Sequence, residues 1–177
     1  MTKTAAMIDF ITHQDHRLMA SVQRWRPPRW LRLWMVCATR GGDGWMWYAL
    51  GIVILLEGGP SRFSAVLAST VASATGIVIF LSLKKNIGRK RPAANVSHWG
   101  NLLPPDQFSF PSGHSITAFA ITIPLVLFYP SLTTGLLFCA LSIAVSRVLL
   151  GMHFLSDVVA GCAIGTTLGY ISFMLFS

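Results

Sequence analysis

Three short polar runs in this chain have the residue types and spacing to handle an anionic group. The first is Lys84-Lys85-Asn86-Ile87-Gly88-Arg89-Lys90-Arg91-Pro92, the second Pro111-Ser112-Gly113-His114, and the third Ser146-Arg147 followed by His153 and Asp157. All three adjoin long apolar stretches, where ionisable side chains are costly to keep and therefore mark function. In the second run, a serine and a glycine opening a helical stretch put free backbone N–H groups, a hydroxyl and the positive end of the helix dipole in one place, a seat for phosphate. Gly113 would also let the backbone approach an oxyanion closely. In the third run, His153 and Asp157 are four residues apart, a spacing that stacks them on one helix face. The carboxylate is then expected to accept a hydrogen bond from one imidazole nitrogen, leaving the other unprotonated as a nucleophile or base requires. Lys84, Arg91 and Arg147 add fixed positive charge, the arginines with bidentate geometry. Phosphoryl transfer depends mostly on positioning and charge stabilisation, so three cations and a helix N-terminus suffice for it without a metal.

The elements that must position these residues are membrane helices. Of the 177 residues, 53% are hydrophobic, and the charged ones fall in a few clusters, which is a membrane composition. Apolar stretches run over 63–83, 112–129, 132–150 and 154–176, each near the roughly 20 residues that cross the hydrocarbon core as a helix. The shorter stretch 45–56 spans if it extends back through Gly42 and Asp43, or sits tilted or in a thinned bilayer. Ahead of these, Ile8, Ile11, Leu18, Met19, Val22 and Trp25 are interleaved with Asp9, Gln14, Asp15, Arg17 and Arg24, the pattern of an amphipathic helix lying in the membrane interface. A basic, Trp-rich stretch over 24–34, broken by Pro27-Pro28, fits a belt at headgroup level. The turn Thr39-Arg40-Gly41-Gly42-Asp43-Gly44 is expected to end that segment and send the chain into the membrane, with substrate contact by Arg40 or Asp43 a minor option. The expected fold is all-α: a polytopic membrane helix bundle of about five transmembrane helices, or six, behind an N-terminal interfacial helix. It forms one domain over 1–177, with 1–42 as the interfacial segment and 43–177 as the catalytic bundle.

Composition excludes several classes. The net charge of +8 does not indicate nucleic acid, because the basic residues gather in the N-terminal segment and in 84–91, where anionic headgroups or an anionic substrate account for them. Three cysteines, Cys37, Cys139 and Cys162, form neither a disulfide framework nor a zinc spacing. Residues 1–23 lack the apolar core of a secretory signal, so the N-terminus is expected to be retained. No obligate protein partner is implied.

Taken together, Lys84-x6-Arg91-Pro92, Pro111-Ser112-Gly113-His114 and Ser146-Arg147-x5-His153-x3-Asp157 resemble the three-part signature of the type 2 phosphatidic acid phosphatase superfamily. That superfamily also contains bacterial undecaprenyl diphosphate phosphatases, lipid A phosphatases, soluble acid phosphatases and vanadium haloperoxidases. The signature runs from Lys84 to Asp157 with no departure at a signature position, and the flanking spans fit the family's helical core. The resemblance implies that His153 attacks phosphorus to give a phosphohistidine, with Asp157 orienting it, while His114 protonates the leaving oxygen and later activates water. Lys84, Arg91, Ser112, Gly113 and Arg147 would hold the phosphoryl oxygens, with no metal and no cofactor. The implied substrate is a lipid phosphomonoester or diphosphate of the undecaprenyl diphosphate, phosphatidate, phosphatidylglycerophosphate or lipid A type.

Other readings weigh less. A lipid phosphotransferase would use the same histidine with an alcohol as acceptor. A vanadate-dependent oxidase fits poorly with a short, membrane-embedded chain, and a lipid transporter would have no use for the full signature. Lys85, Arg89 and Lys90 occupy no signature position and are read as headgroup anchors. His13 and His16, three apart around Asp15, lack a third strong metal ligand and are read as solvated. His98 is read as a loop residue, the 93–110 loop as a determinant of substrate choice, and Pro124 as a kink. In the five-span arrangement seven Lys or Arg of the N-terminal segment, five of the 84–91 loop and Arg147 share the active-site side, with Arg62 opposite, which by the positive-inside rule places that side in the cytoplasm. The resemblance points to the outer, periplasmic face of a bacterial inner membrane. Several of these charges belong to the site and are poor topology markers, so the periplasmic face is expected.

Overall fold

A computed structural model describes residues 3–92 and 108–177, with the backbone alone for 3–6 and 8. His98, Asn95 and most of the loop expected to set substrate choice lie outside the described residues. Among the described residues seven α-helices follow one another: α1 Lys3–Arg24, α2 Arg29–Gly41, α3 Trp45–Glu57, α4 Arg62–Ile87, α5 Gly113–Phe128, α6 Thr133–Leu149 and α7 Leu155–Phe176. Short 3₁₀ turns at Gly59–Ser61 and Pro130–Leu132 lead into α4 and α6.

The apolar stretches of the sequence became α3 to α7 with ends shifted by no more than a few residues. Pro28, extended at ψ 154°, separates α1 from α2. Gly88, at φ +59°, ends α4 in the left-handed conformation and turns the chain toward the next helix. The basic, Trp-rich stretch over 24–34 breaks at Pro27-Pro28 and continues as the first turns of α2. Met35 and Thr39 are buried on one face of it, α2 packs along α6, and Trp34 stacks on Phe138 at 5.5 Å.

The centre of the bundle is α4, α5 and α7 in mutual contact, with α6 against α5 and α3 against α4. In lipid, where apolar burial between helices gains little, small residues and close backbone contact hold helices together. Here Gly161, Gly165 and Gly169, spaced four apart on α7, seat α5. A Cβ on Gly165 would stand 2.4 Å from the Ile116 carbonyl oxygen, and one on Gly161 would stand 2.7 Å from that of Ser112. From α4, Gly76 receives the Ile116 side chain in the same way. Ser172 Oγ donates to the Ala68 carbonyl at 2.7 Å, tying α7 to α4.

Three helical stretches among the described residues are long and apolar enough to cross a membrane: Gly59–Ile87, Pro130–Leu149 and Leu155–Phe176. The helices α3 and α5 are apolar but shorter, at 13 and 16 residues, so α5 reaches about 24 Å. Pro124 lies inside α5 and is buried, facing Gly169.

A Gly165→Ala substitution is expected to cost about 1–3 kcal/mol by overpacking the α5–α7 contact. Gly135→Ala, in α6 with open space around it, is expected to be neutral or slightly stabilising. Thermal unfolding of the two purified variants in one detergent checks this, and equal midpoints would refute the packing role.

Candidate active site

The last turn of α4, the first of α5, the last of α6 and the first of α7 meet at one end of the bundle. Backbone hydrogen bonds fix the junction: the Ser112 N–H donates to the Asp157 carbonyl at 3.1 Å and the Ser109 N–H to the Arg89 carbonyl at 2.8 Å. The α6–α7 turn passes through Gly151 at φ +69°, and its Met152 and His153 N–H groups both donate to the Arg147 carbonyl.

His153 sits on this turn, 3% exposed, just ahead of α7. Its Nδ1 lies 2.6 Å from the Ser109 carbonyl oxygen. A carbonyl only accepts, so Nδ1 carries the proton and Nε2 holds the free lone pair. Burial, then the positive charges of Arg147 and Arg91, push the imidazole well below its ordinary pKa of 6.5, which keeps it neutral and nucleophilic.

This corrects the expected pairing with Asp157. Residue 153 precedes α7 rather than sharing its face, and the Asp157 carboxylate is 3.9 Å from Nδ1, too far for a hydrogen bond. Asp157, fully buried, instead accepts from the Phe154 N–H at 2.9 Å and from Arg89 Nη1 at 2.6 Å. Arg89 is likewise not a headgroup anchor. Its guanidinium is held between Asp157 and Asp15 over the Phe154 ring at 4.3 Å.

Arg147, in α6, is 4% exposed and donates through Nη1 to Thr39 Oγ1 of α2 at 2.6 Å. Arg91 donates through Nη1 to the Met152 carbonyl at 3.1 Å. The Nε of each is buried without a partner among the described residues, so both guanidiniums retain donor capacity for an anion. His114, in the first turn of α5, places Nε2 2.9 Å from Asp43 Oδ1 on the α2–α3 turn, and Arg40 meets the same carboxylate at 3.4 Å. Gly42 lies so close to the His114 ring that a Cβ there would stand 3.0 Å from its Cδ2. Gly113 also packs closely against the Phe80 ring of α4, which lies 3.2 Å from where a Cβ would be.

A cavity of about 580 Å³ opens among these groups. Of the residues singled out from sequence, Arg91, Gly113, His114, Arg147 and His153 line it; Lys84, Ser112 and Asp157 do not. Lys84 stands at the end of α4 with its ammonium over the Phe80 ring at 4.7 Å, and Ser112 is buried at the α5 N-terminus. The remaining wall is largely apolar, with Trp47 of α3, Ile77 and Phe80 of α4 and Ile121 of α5. Among the described residues no three His, Cys, Asp or Glu side chains gather as metal ligands would; His16 packs edge-on against Phe154.

Ser109 was not singled out from sequence; Thr39 entered only as part of a turn, Arg89 as a headgroup anchor, Asp15 as a polar position of the interfacial helix and Asp43 as a minor option. Scarcity was the usable signal: the chain has six Asp and Glu residues, and Asp15, Asp43 and Asp157 all contact residues of this junction.

Known proteins share sequence and fold with this chain. A family model described as PAP2 superfamily matches residues 63–177. A lipid A 1-phosphatase of Rhizobium johnstonii is 33% identical over 102 residues, 54% of this chain and 41% of that protein; the chain thus spans about two-fifths of that relative. A decaprenylphosphoryl-5-phosphoribose phosphatase of Mycobacterium tuberculosis is 34% identical over 143 residues, 72% of this chain and 69% of that one. The crystal structure of Aquifex aeolicus LpxE superposes with a TM-score of 0.76 at 27% identity, covering 89% of this chain and 93% of that one. A PAP2 type phosphatidylglycerolphosphate phosphatase from Bacillus subtilis shares the fold, with a TM-score of 0.73 at 23% identity over 99% and 96% of the two chains.

Because the folded protein lowers the His153 pKa, its neutral form is expected to persist as pH falls through 6.5 and to be lost only below it. Ring NMR of histidine-labelled protein, with His153→Gln for assignment, checks this; a His153 midpoint at or above 6.5 would contradict the buried, cation-flanked setting.

Proposed function

The chain belongs to the PAP2 superfamily, and from that premise we propose that it is a membrane lipid phosphatase that hydrolyses a lipid phosphomonoester or diphosphate through a phosphohistidine at His153. The observation that carries the reading is the His153 ring: Nδ1 is committed to the Ser109 carbonyl and Nε2 carries the lone pair, in a cavity shared with Arg91, Arg147 and His114.

In the proposed reaction the phosphoryl oxygens bind Arg91, Arg147 and the N–H groups opening α5, with Lys84 adding charge from its rim. His153 Nε2 attacks phosphorus in line and the bond to the lipid oxygen breaks. His114, held by Asp43, gives that oxygen its proton, then takes one from the water that cleaves the phosphohistidine and frees inorganic phosphate. Asp157 serves through the turn that bears His153. Positive charge in a largely buried setting stabilises the transition state, which is the basis for proposing a metal-free reaction.

The lipid character of the substrate is supported by the apolar side chains that α3, α4 and α5 contribute to the cavity, Trp47, Ile77, Phe80 and Ile121. A tail lying there reaches the site from within the bilayer. In the proposed arrangement α3 to α7 are five spans, α1 lies in the interface, and the protein resides in a bacterial inner membrane with its site on the periplasmic face. Arg89, Arg91 and Arg147 are engaged in protein contacts, which supports discounting them as topology markers.

Purified protein in detergent with excess chelator is expected to release phosphate from at least one member of a panel comprising undecaprenyl diphosphate, phosphatidate, phosphatidylglycerophosphate and lipid A. His153→Ala is expected to lower the rate by roughly a thousandfold or more. Release that stops on chelation, or that survives His153→Ala, would overturn the histidine mechanism. For sidedness, a reporter active only outside the cytoplasm, fused at Asn95, is expected to be active; silence would place the site on the cytoplasmic side.

A further inference from the structure

Helix α1 turns Asp15, Met19 and Val22 toward the bundle and leaves Met7, Phe10, Ile11 and Leu18 exposed on the adjoining stripe. Asp15 is thus a carboxylate delivered to the bundle by a helix 141 residues away in sequence from its partner Ser156. Only 5% exposed, it accepts from the Ser156 N–H at 3.1 Å through Oδ1. Its Oδ2 accepts from the Ser156 hydroxyl and from Arg89 Nη2 at 2.8 Å.

Arg89 carries the contact onward by two routes. Through Nη1 it donates to Asp157 Oδ1 at 2.6 Å and to Ser156 Oγ at 2.7 Å, and Asp157 holds the Phe154 N–H next to His153. Through its own carbonyl it accepts from the Ser109 N–H, and the Ser109 carbonyl is what accepts from His153 Nδ1. Side chain and main chain of one arginine therefore bracket the nucleophile's turn. A planar guanidinium between two carboxylates has its orientation fixed from both sides. With one carboxylate gone it is free to pivot, the α7 N-terminus loses the cap on Ser156 N–H, and Asp157 can follow the arginine.

Resting on the phosphatase reading above, we propose that Asp15 is a positioning residue for the His153 reaction, acting through Arg89 and Asp157 to set the aim of the imidazole. It touches neither the cavity nor the groups that seat the phosphoryl oxygens. Its loss therefore acts on turnover rather than on substrate affinity. The interfacial helix is then part of the active site's frame, not only an anchor.

The test compares Asp15→Ala and Asp15→Asn with Asp9→Ala, which removes the same charge from an exposed position of the same helix. With the preferred lipid phosphate in detergent, both Asp15 variants are expected to lose about tenfold to a hundredfold in kcat, the scale of a misaimed reacting group, with KM within about twofold. Asp9→Ala is expected to match the wild type. Ring ¹⁵N spectra of histidine-labelled protein, which need no turnover, are expected to show the Nδ1–H form of His153 in the wild type and a mixed or exchanging signal in Asp15→Asn. A folded Asp15 variant with wild-type kcat, or with an unchanged His153 signal, overturns the proposal while leaving the phosphatase reading intact. Failure of both Asp15 variants to fold makes the residue structural and overturns it too. Wild-type protein that releases no phosphate from any lipid strikes the function reading, and the spectra then still decide whether Asp15 aims His153.

Discussion

The site depends first on how closely α5 and α7 approach. Gly161 and Gly165 leave no room for a Cβ against the Ser112 and Ile116 carbonyls, so the two helices meet backbone to backbone. At the end of that seam the Ser112 N–H reaches the Asp157 carbonyl. The opening of α5, with Gly113 and His114, is thereby set against the opening of α7, with Asp157 and the turn that holds His153. In lipid such contact is also the available source of helix association, so one feature supplies both stability and registration.

Electrostatics shape the rest. Arg91 and Arg147 are brought near a neutral His153, and each keeps a buried Nε without a partner among the described residues. Concentrating like charge in a partly dry cavity is unfavourable until an anion arrives, so the cost is met elsewhere: Thr39 and the Met152 carbonyl hold one Nη of each arginine. Where an arginine is fully committed to the frame, as Arg89 is, carboxylates flank it on both sides. The two kinds of arginine are separated by partner and not by spacing.

His153 illustrates why a motif and its mechanism are different pieces of information. The i,i+4 spacing to Asp157 suggested a carboxylate–imidazole hydrogen bond, but the helix begins at Leu155. The imidazole proton goes instead to a carbonyl 44 residues earlier. Tautomer and lone pair come out as the spacing argument required, by a different partner.

What the sequence by itself determined is whatever depends on local composition: the helical apolar stretches, the break at Pro27-Pro28, and the candidacy of Arg91, His114, Arg147 and His153, whose types are costly beside a membrane. It also indicated that Asp15 was polar, but not that it was buried, because an amphipathic pattern specifies which residues share a face and not what that face meets. Only the tertiary structure decided that α2 is a helix against α6, that Asp43 reaches His114, that Ser109 holds His153, and that Arg89 joins α1 to the turn that bears His153. Those contacts join residues between 44 and 108 positions apart, and hydrogen bonding at that range is set by helix packing, which leaves no periodicity in the chain to read.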